Sequence, residues 1–303
     1  MRRTLKSSRA LRVLVAILLA SEGSGCKSPG RNDADTTAFR DDFGSAITFD
    51  TPPKRIVSLN PATTEILFAI GAGSRLVGRT HWDSWPDSAR FVPDIGDALR
   101  PNIEAVLGAH PDVVILYASN DNQGVADRLR SAGIQTVALR IDSIAQFRRA
   151  TLHLGKIVGE DARARSVVDS VQLTLDAVRA ATAGLPQTSV FYHTWDSPLI
   201  TIGRNSFLNE LVVIAGGRNV YADIAQASPV VTLEDVVKRN PDVLLVGPHT
   251  AASILASAQW QAVPAVRAKR VFVFDTNVVG RPSVTLGMAA VNIAGLLHPG
   301  AIR

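Results

Sequence analysis

The chain has 303 residues, 46% of them hydrophobic and 19% charged, which describes a globular protein with room for two ordinary domains and excludes an intrinsically disordered one. The net charge of +5 sits mostly at the start, where Arg2, Arg3, Lys6, Arg9 and Arg12 face only Glu22, leaving about +1 for everything after residue 25. No basic stripe with interleaved aromatics runs through the remainder, so nucleic acid is not an expected partner.

Residues 1–25 read as an export signal: a basic segment leads into an apolar core over 11–20, too short to span a bilayer as a permanent helix. Small residues follow, then Cys26, the single cysteine of the chain. The arrangement resembles a bacterial lipoprotein signal, which implies lipidation of Cys26 and attachment to the membrane through a lipid anchor; an ordinary cleaved secretory signal is the alternative. With one cysteine, the fold must be stable without an intramolecular disulfide. Residues 26–43 are polar and aperiodic, as a tether would be.

Regular patterning begins at residue 55. A short apolar strand over 55–59 is followed by turn and cap chemistry at 60–64, a helix over 65–70 stopped by Gly71, and a strand over 76–78. Asn102-Ile103-Glu104 opens a capped helix, His110-Pro111-Asp112 breaks it, and Val113–Tyr117 reads as a buried strand. A helix over 125–131 and a strand over 136–139 complete this half. Residues 143–187 hold two helical stretches and no strand. The second, over 161–183, carries Val167, Val171, Leu175 and Val178 as a helical stripe and is about 35 Å long, enough to cross between two domains.

The later half repeats the order. A strand over 189–192 and a helix over 206–215 precede Thr232-Leu233-Glu234, a second capped helix. Asn240-Pro241-Asp242 breaks it before another apolar strand, 130 residues after the first copy. A helix over 253–261 and a strand over 271–274 follow. Strands alternating with helices imply mostly parallel sheets covered on both faces. The expected fold is therefore α/β: two Rossmann-like lobes, 44–142 and 188–303, with central, mostly parallel sheets, joined by one long rigid interdomain helix within 143–187.

The run from Asp41 to Pro53, the stretch Arg55-Ile56-Val57-Ser58-Leu59-Asn60-Pro61-Ala62-Thr63-Thr64-Glu65 to Gly73, and Pro198-Leu199-Ile200-Thr201-Ile202-Gly203-Arg204-Asn205-Ser206 with Ala215-Gly216-Gly217-Arg218-Asn219 resemble the solute-binding proteins of cobalamin and iron-siderophore ABC importers. The resemblance covers about residues 41–300 and is closest to the cobalamin-binding branch. It implies a monomeric, extracytoplasmic protein that holds a small metal chelate between two lobes, needs no cofactor of its own, and docks on a transmembrane permease dimer. It also implies that Glu104 and Glu234, one per lobe, meet arginines of that permease. On residue type alone, each glutamate also suits the first turn of its helix.

Ligands of sheet-based lobes lie beyond the carboxyl ends of strands. The loops expected there carry Trp82, Trp85 and Trp195, with Tyr117 and Tyr192 at strand ends and Arg281 at the mouth. Aromatic walls suit a large flat ligand such as a corrinoid, with Arg281 free to meet an amide or carboxylate. The cobalamin-binding branch can carry tryptophan where this chain has Ala98 and Ser228, so a ferric siderophore or haem stays open as cargo. His81, His193 and His249 also fall on these loops and make a bare metal ion a third option, although no acidic fourth ligand is evident.

Enzyme motifs are missing. Gly71-Ala72-Gly73 follows a helix rather than a strand, and there is no phosphate-cradling Walker loop or Gly-x-Ser-x-Gly elbow. Because related folds occur in chelatases, a metal-inserting enzyme is the class-level rival, and a purely structural lipoprotein is the other.

Overall fold

The computed structural model describes residues 39–98 and 101–302. Cys26, the export signal and residues 26–38 of the expected tether lie outside the described residues. Residues 39–43, expected in that tether, belong to the fold. Strand β1 (Phe39–Arg40) pairs antiparallel with β2 (Ala46–Ile47), and buried Asp41 organises the turn between them. Its carboxylate accepts from the amides of Phe43 (3.1 Å), Ser45 (2.8 Å) and Ala138 (3.0 Å). A short polar side chain that bonds its own turn suits such a corner, and its distant partners, Ala138 on Asp41 with Arg140 and Arg149 on Asp42, show that the corner is docked.

The first lobe runs β3 (Ile56–Leu59), α1 (Pro61–Ala69), β4 (Leu76–Gly78), α2 (Ile103–Gly108), β5 (Val113–Tyr117), α3 (Asn120–Ser131) and β6 (Gln135–Leu139). The sheet is parallel in the order β4-β3-β5-β6. Helix α1 starts earlier than expected because Pro61 suits its first turn and the Asn60 side chain accepts from the Ala62 amide at 3.0 Å.

Helices α4 (Ile144–Val158) and α5 (Asp161–Thr182) connect to the second lobe. That lobe runs β7 (Thr188–Trp195), β8 (Ile200–Thr201), α6 (Phe207–Ile214), β9 (Gly217–Asn219), α7 (Leu233–Arg239), β10 (Val243–Val246), α8 (Ala251–Ala256), α9 (Pro264–Arg267), β11 (Val271–Val273), α10 (Thr276–Val279) and α11 (Leu286–Leu297). Its parallel strands run β11-β10-β7-β9, and β8 pairs antiparallel with the end of β7. The helix expected over 253–261 is broken: Ser257 is extended, and a separate 3-10 turn forms at Trp260–Ala262.

The Pro-Asp-Val repeat has a structural cause. Asp112 donates its amide to the Arg55 carbonyl at 2.8 Å and accepts from the Arg55 amide at 2.9 Å. Asp242 makes the same reciprocal pair with Ser189, at 3.0 and 2.8 Å. Each aspartate thus clips the segment after its helix to the start of the neighbouring strand, at Arg55 just before β3 and at Ser189, second in β7, and sets the register of the pair.

Side chains alternate across each sheet. Val57, Leu59, Val114 and Leu116 form one core with α3, and Phe191, Leu244 and Val246 form another with α7 and α8. The opposite faces, with Ile56, Val113 and Ile115 in one lobe and Val190, Val243 and Leu245 in the other, join one continuous apolar cluster.

Helix α5 lies in that cluster and is about 33 Å long from its 22 residues. It buries Ala164, Val168, Val171, Leu175, Val178 and Thr182, so Val168 rather than Val167 carries the first part of the stripe. Small residues bring its neighbours close: a Cβ on Gly155 of α4 would lie 2.4 Å from the Ala164 Cβ, and one on Gly287 of α11 would lie 2.9 Å from the Thr174 Cβ. Thr182 Oγ1 donates to the Ile214 carbonyl of α6 at 3.0 Å. One stiff element therefore packs on both lobes.

Candidate functional site

A cavity of about 480 Å³ opens at the carboxyl ends of β7, β10 and β11, where Tyr192, His193, Trp195, His249 and Phe274 contribute to its wall. A second, of about 420 Å³, lies between the lobes, with Trp85 and Arg90 of lobe one facing Val278, Thr285 and Met288 of lobe two. The segment 274–280 is their common wall, since Phe274, Thr276 and Gly280 border the first cavity while Asp275 and Val278 border the second. A larger cavity of about 550 Å³ lies among α4, α5 and α6. It holds none of the candidate ligand side chains and is not at strand carboxyl ends, so the first two form the candidate site.

The three tryptophans are accessible: Trp82 is 61% exposed, Trp85 41% and Trp195 62%. Trp195 is not on a free loop. It ends β7, faces Ile200 across the hairpin with β8, and its indole donates to the Ser197 carbonyl at 3.2 Å. Trp82 packs against the His81 ring at 4.6 Å.

The tyrosines are placed differently. Tyr192 is buried and stacked on Phe274 at 4.7 Å, so it belongs to the core and forms the floor of the first cavity; burial pushes its hydroxyl pKa well up. Tyr117 lines neither cavity. Its hydroxyl donates to Asp142 Oδ1 at 2.7 Å, and burial, reinforced by that carboxylate, pushes its pKa up to about 12.

Arg281 also lines neither cavity, because it is engaged elsewhere. Its Nε lies 2.8 Å from Oε1 of Glu65, a buried residue of α1, and Ser283 Oγ donates to Glu65 Oε2. Burial raises the Glu65 carboxyl to about 7; Arg281 and Ser283 pull it down, and nearby Asp83 adds to the rise. Asp83 is itself buried and raised by that burial, while accepting from the hydroxyls of Thr64 and Thr80, each at 2.6 Å. This polar cluster was missed in the sequence. The available signal was a carboxylate set directly before the apolar run Ile66-Leu67-Phe68-Ala69-Ile70.

The histidines do not assemble a metal site: among the described residues no three His, Cys, Asp or Glu side chains gather as a ligand set. His193 is buried, its Nε2 sits 3.0 Å from Asp196 Oδ1, and burial lowers its pKa. His249 borders the same cavity, whereas His81 belongs to lobe one with its Nε2 3.9 Å from Asp97. The fold thus brings two of the three histidines to one cavity and leaves His81 on the other lobe.

Glu104 and Glu234 are exposed, each second in its helix. The helices are capped alike, by Asn102 accepting from the Ala105 amide at 3.1 Å and Thr232 from the Asp235 amide at 3.2 Å. A helix feeding a parallel strand runs back along it, so both glutamates lie toward the carboxyl ends of the strands, the end where the cavities open. No helix among the described residues is long and apolar enough to cross a membrane.

Comparison with known proteins agrees with this architecture. The family of periplasmic binding proteins matches residues 56–278. The uncharacterized ABC transporter substrate-binding lipoprotein YvrC of Bacillus subtilis is 26% identical over 305 residues, covering 96% of each chain. A cobalamin-binding protein of Halobacterium salinarum is 30% identical over 277 residues, covering 85% of this chain and 73% of its own. The solved structure of the periplasmic haem-binding protein RhuT from Roseiflexus sp. RS-1, in its apo form, superposes with a TM-score of 0.74 at 24% identity, over 82% of this chain and 99% of that one. With two α/β lobes, a single long connecting helix and a cleft at the strand ends, the chain belongs to the periplasmic binding protein family, the extracytoplasmic solute-binding components of ABC importers, and is not an enzyme.

Proposed function

We propose that the protein captures a corrinoid of the cobalamin type in the interlobe cleft and delivers it to a permease dimer. The observation that carries this reading is the pair of accessible tryptophans that line the two cavities, Trp85 on lobe one and Trp195 on lobe two, with Trp82, which lines neither, exposed on the same loop as Trp85. Such a rim offers a planar macrocycle stacking and apolar contact from both sides. The cobalamin-binding relative in Halobacterium salinarum supports the same chemistry. The metal travels within the cargo, and the protein needs no cofactor of its own.

Docking falls to Glu104 and Glu234. Their equivalent exposed positions at one end of the two lobes suit a partner that presents two basic groups related by two-fold symmetry. One monomer then spans a permease dimer, held at the membrane by lipid on Cys26.

Haem is the second reading, favoured by the likeness to RhuT; a ferric siderophore is the third. Quenching of tryptophan fluorescence by cyanocobalamin, haem and a ferric hydroxamate, titrated in parallel, separates them. Tight saturable quenching by the corrinoid is the expected result. Saturation by haem or the hydroxamate alone overturns the corrinoid assignment.

A further inference from the structure

The contact between Glu65 and Arg281 joins residues 216 positions apart and crosses from one lobe to the other. Glu65 is buried and Arg281 mostly so, and the chain on either side of them, Ile66 and Leu67 in α1 and Val279 and Leu286 in lobe two, enters the continuous core cluster. A buried ion pair in such a place is weak as a source of stability, since the cost of desolvating both charges offsets most of their attraction. It is strong as a constraint on position, because a displaced partner leaves an unpaired charge in an apolar setting.

The partners are arranged to constrain. Both oxygens of one carboxylate are engaged, Oε1 by Arg281 and Oε2 by the Ser283 hydroxyl. The Thr285 amide donates to Ser283 Oγ at 3.4 Å, and the Thr285 hydroxyl donates to the Val278 carbonyl at 2.9 Å. A continuous polar chain therefore runs from α1 of lobe one into residues 278–285 of lobe two. That stretch borders both cavities, through Gly280 on one side and through Val278 and Thr285 on the other. On the lobe-one side, Thr64 ties the same helix to Asp83 in the loop that carries Trp82 and Trp85.

We propose that Glu65 is a positioning residue for cargo capture: through Arg281 and Ser283 it holds the 278–285 segment of lobe two against lobe one and so fixes the width of the cleft. Glu65 and Ser283 line neither cavity, so any effect they have on cargo passes through that segment. The role does not depend on which cargo the cleft accepts.

The test uses the full chain carrying Cys26→Ser, with spin labels at Asp121→Cys on lobe one and Ser253→Cys on lobe two, both exposed. Interlobe distances are measured by pulsed dipolar spectroscopy without cargo, and cyanocobalamin dissociation is followed by stopped-flow tryptophan fluorescence. Glu65→Ala and Ser283→Ala are expected to give longer or broader interlobe distances and to raise the dissociation rate roughly tenfold for the alanine at 65, the size of effect expected when buried hydrogen-bonding groups lose their partner. Glu65→Gln, whose amide oxygen can face Arg281 while its amide N–H donates to Ser283 Oγ, is expected to restore the parent distances and rate. Parent-like distances in a folded Ser283→Ala protein, and in Glu65→Ala where that protein folds, overturn the proposal. So does a loss of thermal stability in these variants with no change in distance. If cyanocobalamin fails to bind the parent protein, the corrinoid assignment falls, while the distance measurement still decides the tie.

Discussion

Glu234 stands on α7 where Glu104 stands on α2, each one residue past the start of the helix and behind a side-chain cap to the amide three residues on. Each helix gives way to a left-handed residue, His110 or Asn240, both at φ 46°, directly before a proline. The equivalence therefore extends from cap to exit and places two exposed carboxylates at matched sites. Glu104→Ala combined with Glu234→Ala is expected to abolish uptake in cells while leaving cargo affinity within about twofold, because the pair acts on docking and not on the cleft. Normal uptake by the double variant, measured with radiolabelled cargo, would refute the docking role.

The rim makes a separate prediction about affinity. Trp82→Ala and Trp195→Ala are each expected to weaken cargo binding roughly tenfold, in keeping with the loss of one aromatic contact in an interface. Both side chains are largely exposed, so the thermal midpoint should hardly move. Unchanged dissociation constants in both variants would remove the rim from the site.

Stability should fall as pH rises through neutrality. Burial lifts Glu65 from its ordinary 4.5 to about 7, so the folded state holds the proton more tightly than the unfolded chain does. Its contribution is complete below about pH 4.5 and is lost as pH rises through about 7, on the order of 3 kcal/mol in all. Asp83, also raised by burial, acts in the same sense at the acidic end. Urea midpoints between pH 5 and 8 should show the decline, and Glu65→Gln should flatten most of it. An equal slope in the glutamine variant would assign the effect to other groups.

Close packing of α4 on α5 predicts a reciprocal pair of mutations. A Cβ on Gly155 would meet the Ala164 Cβ at 2.4 Å, well inside van der Waals contact. Gly155→Ala is therefore expected to cost about 1–3 kcal/mol, and adding Ala164→Gly should recover part of that loss by vacating the space. Chemical denaturation of the two single variants and the double variant gives the coupling directly. Purely additive effects would show that the helices separate freely.

Local chemistry made much of the architecture legible. Caps at Asn102 and Thr232, breaks at Pro111 and Pro241, and apolar runs at 113–117 and 243–246 announced two similar α/β lobes, because caps, breaks and periodicity act within a few residues. The stripe on α5 similarly showed a long half-buried helix. Helix α11 escaped notice since its sequence, LGMAAVNIAGLL, is apolar almost all round and shows no stripe.

What only the tertiary structure decided is which polar group meets which. Arg281 read as a free cationic contact until α1 brought Glu65 to 2.8 Å. Tyr117 read as a cleft residue until Asp142 took its hydroxyl, and Tyr192 proved to be a buried floor of the cavity, stacked on Phe274, and not an exposed wall. His193 and His249 border one cavity, whereas His81 sits on the other lobe beside Asp97. Helix and strand preferences are written over a few residues, whereas burial and pairing depend on groups that the fold brings together from anywhere in the chain. The sequence alone therefore determined the two lobes, their matched glutamates and the bridging helix. The closed tie beneath the cleft exists only once those lobes are packed.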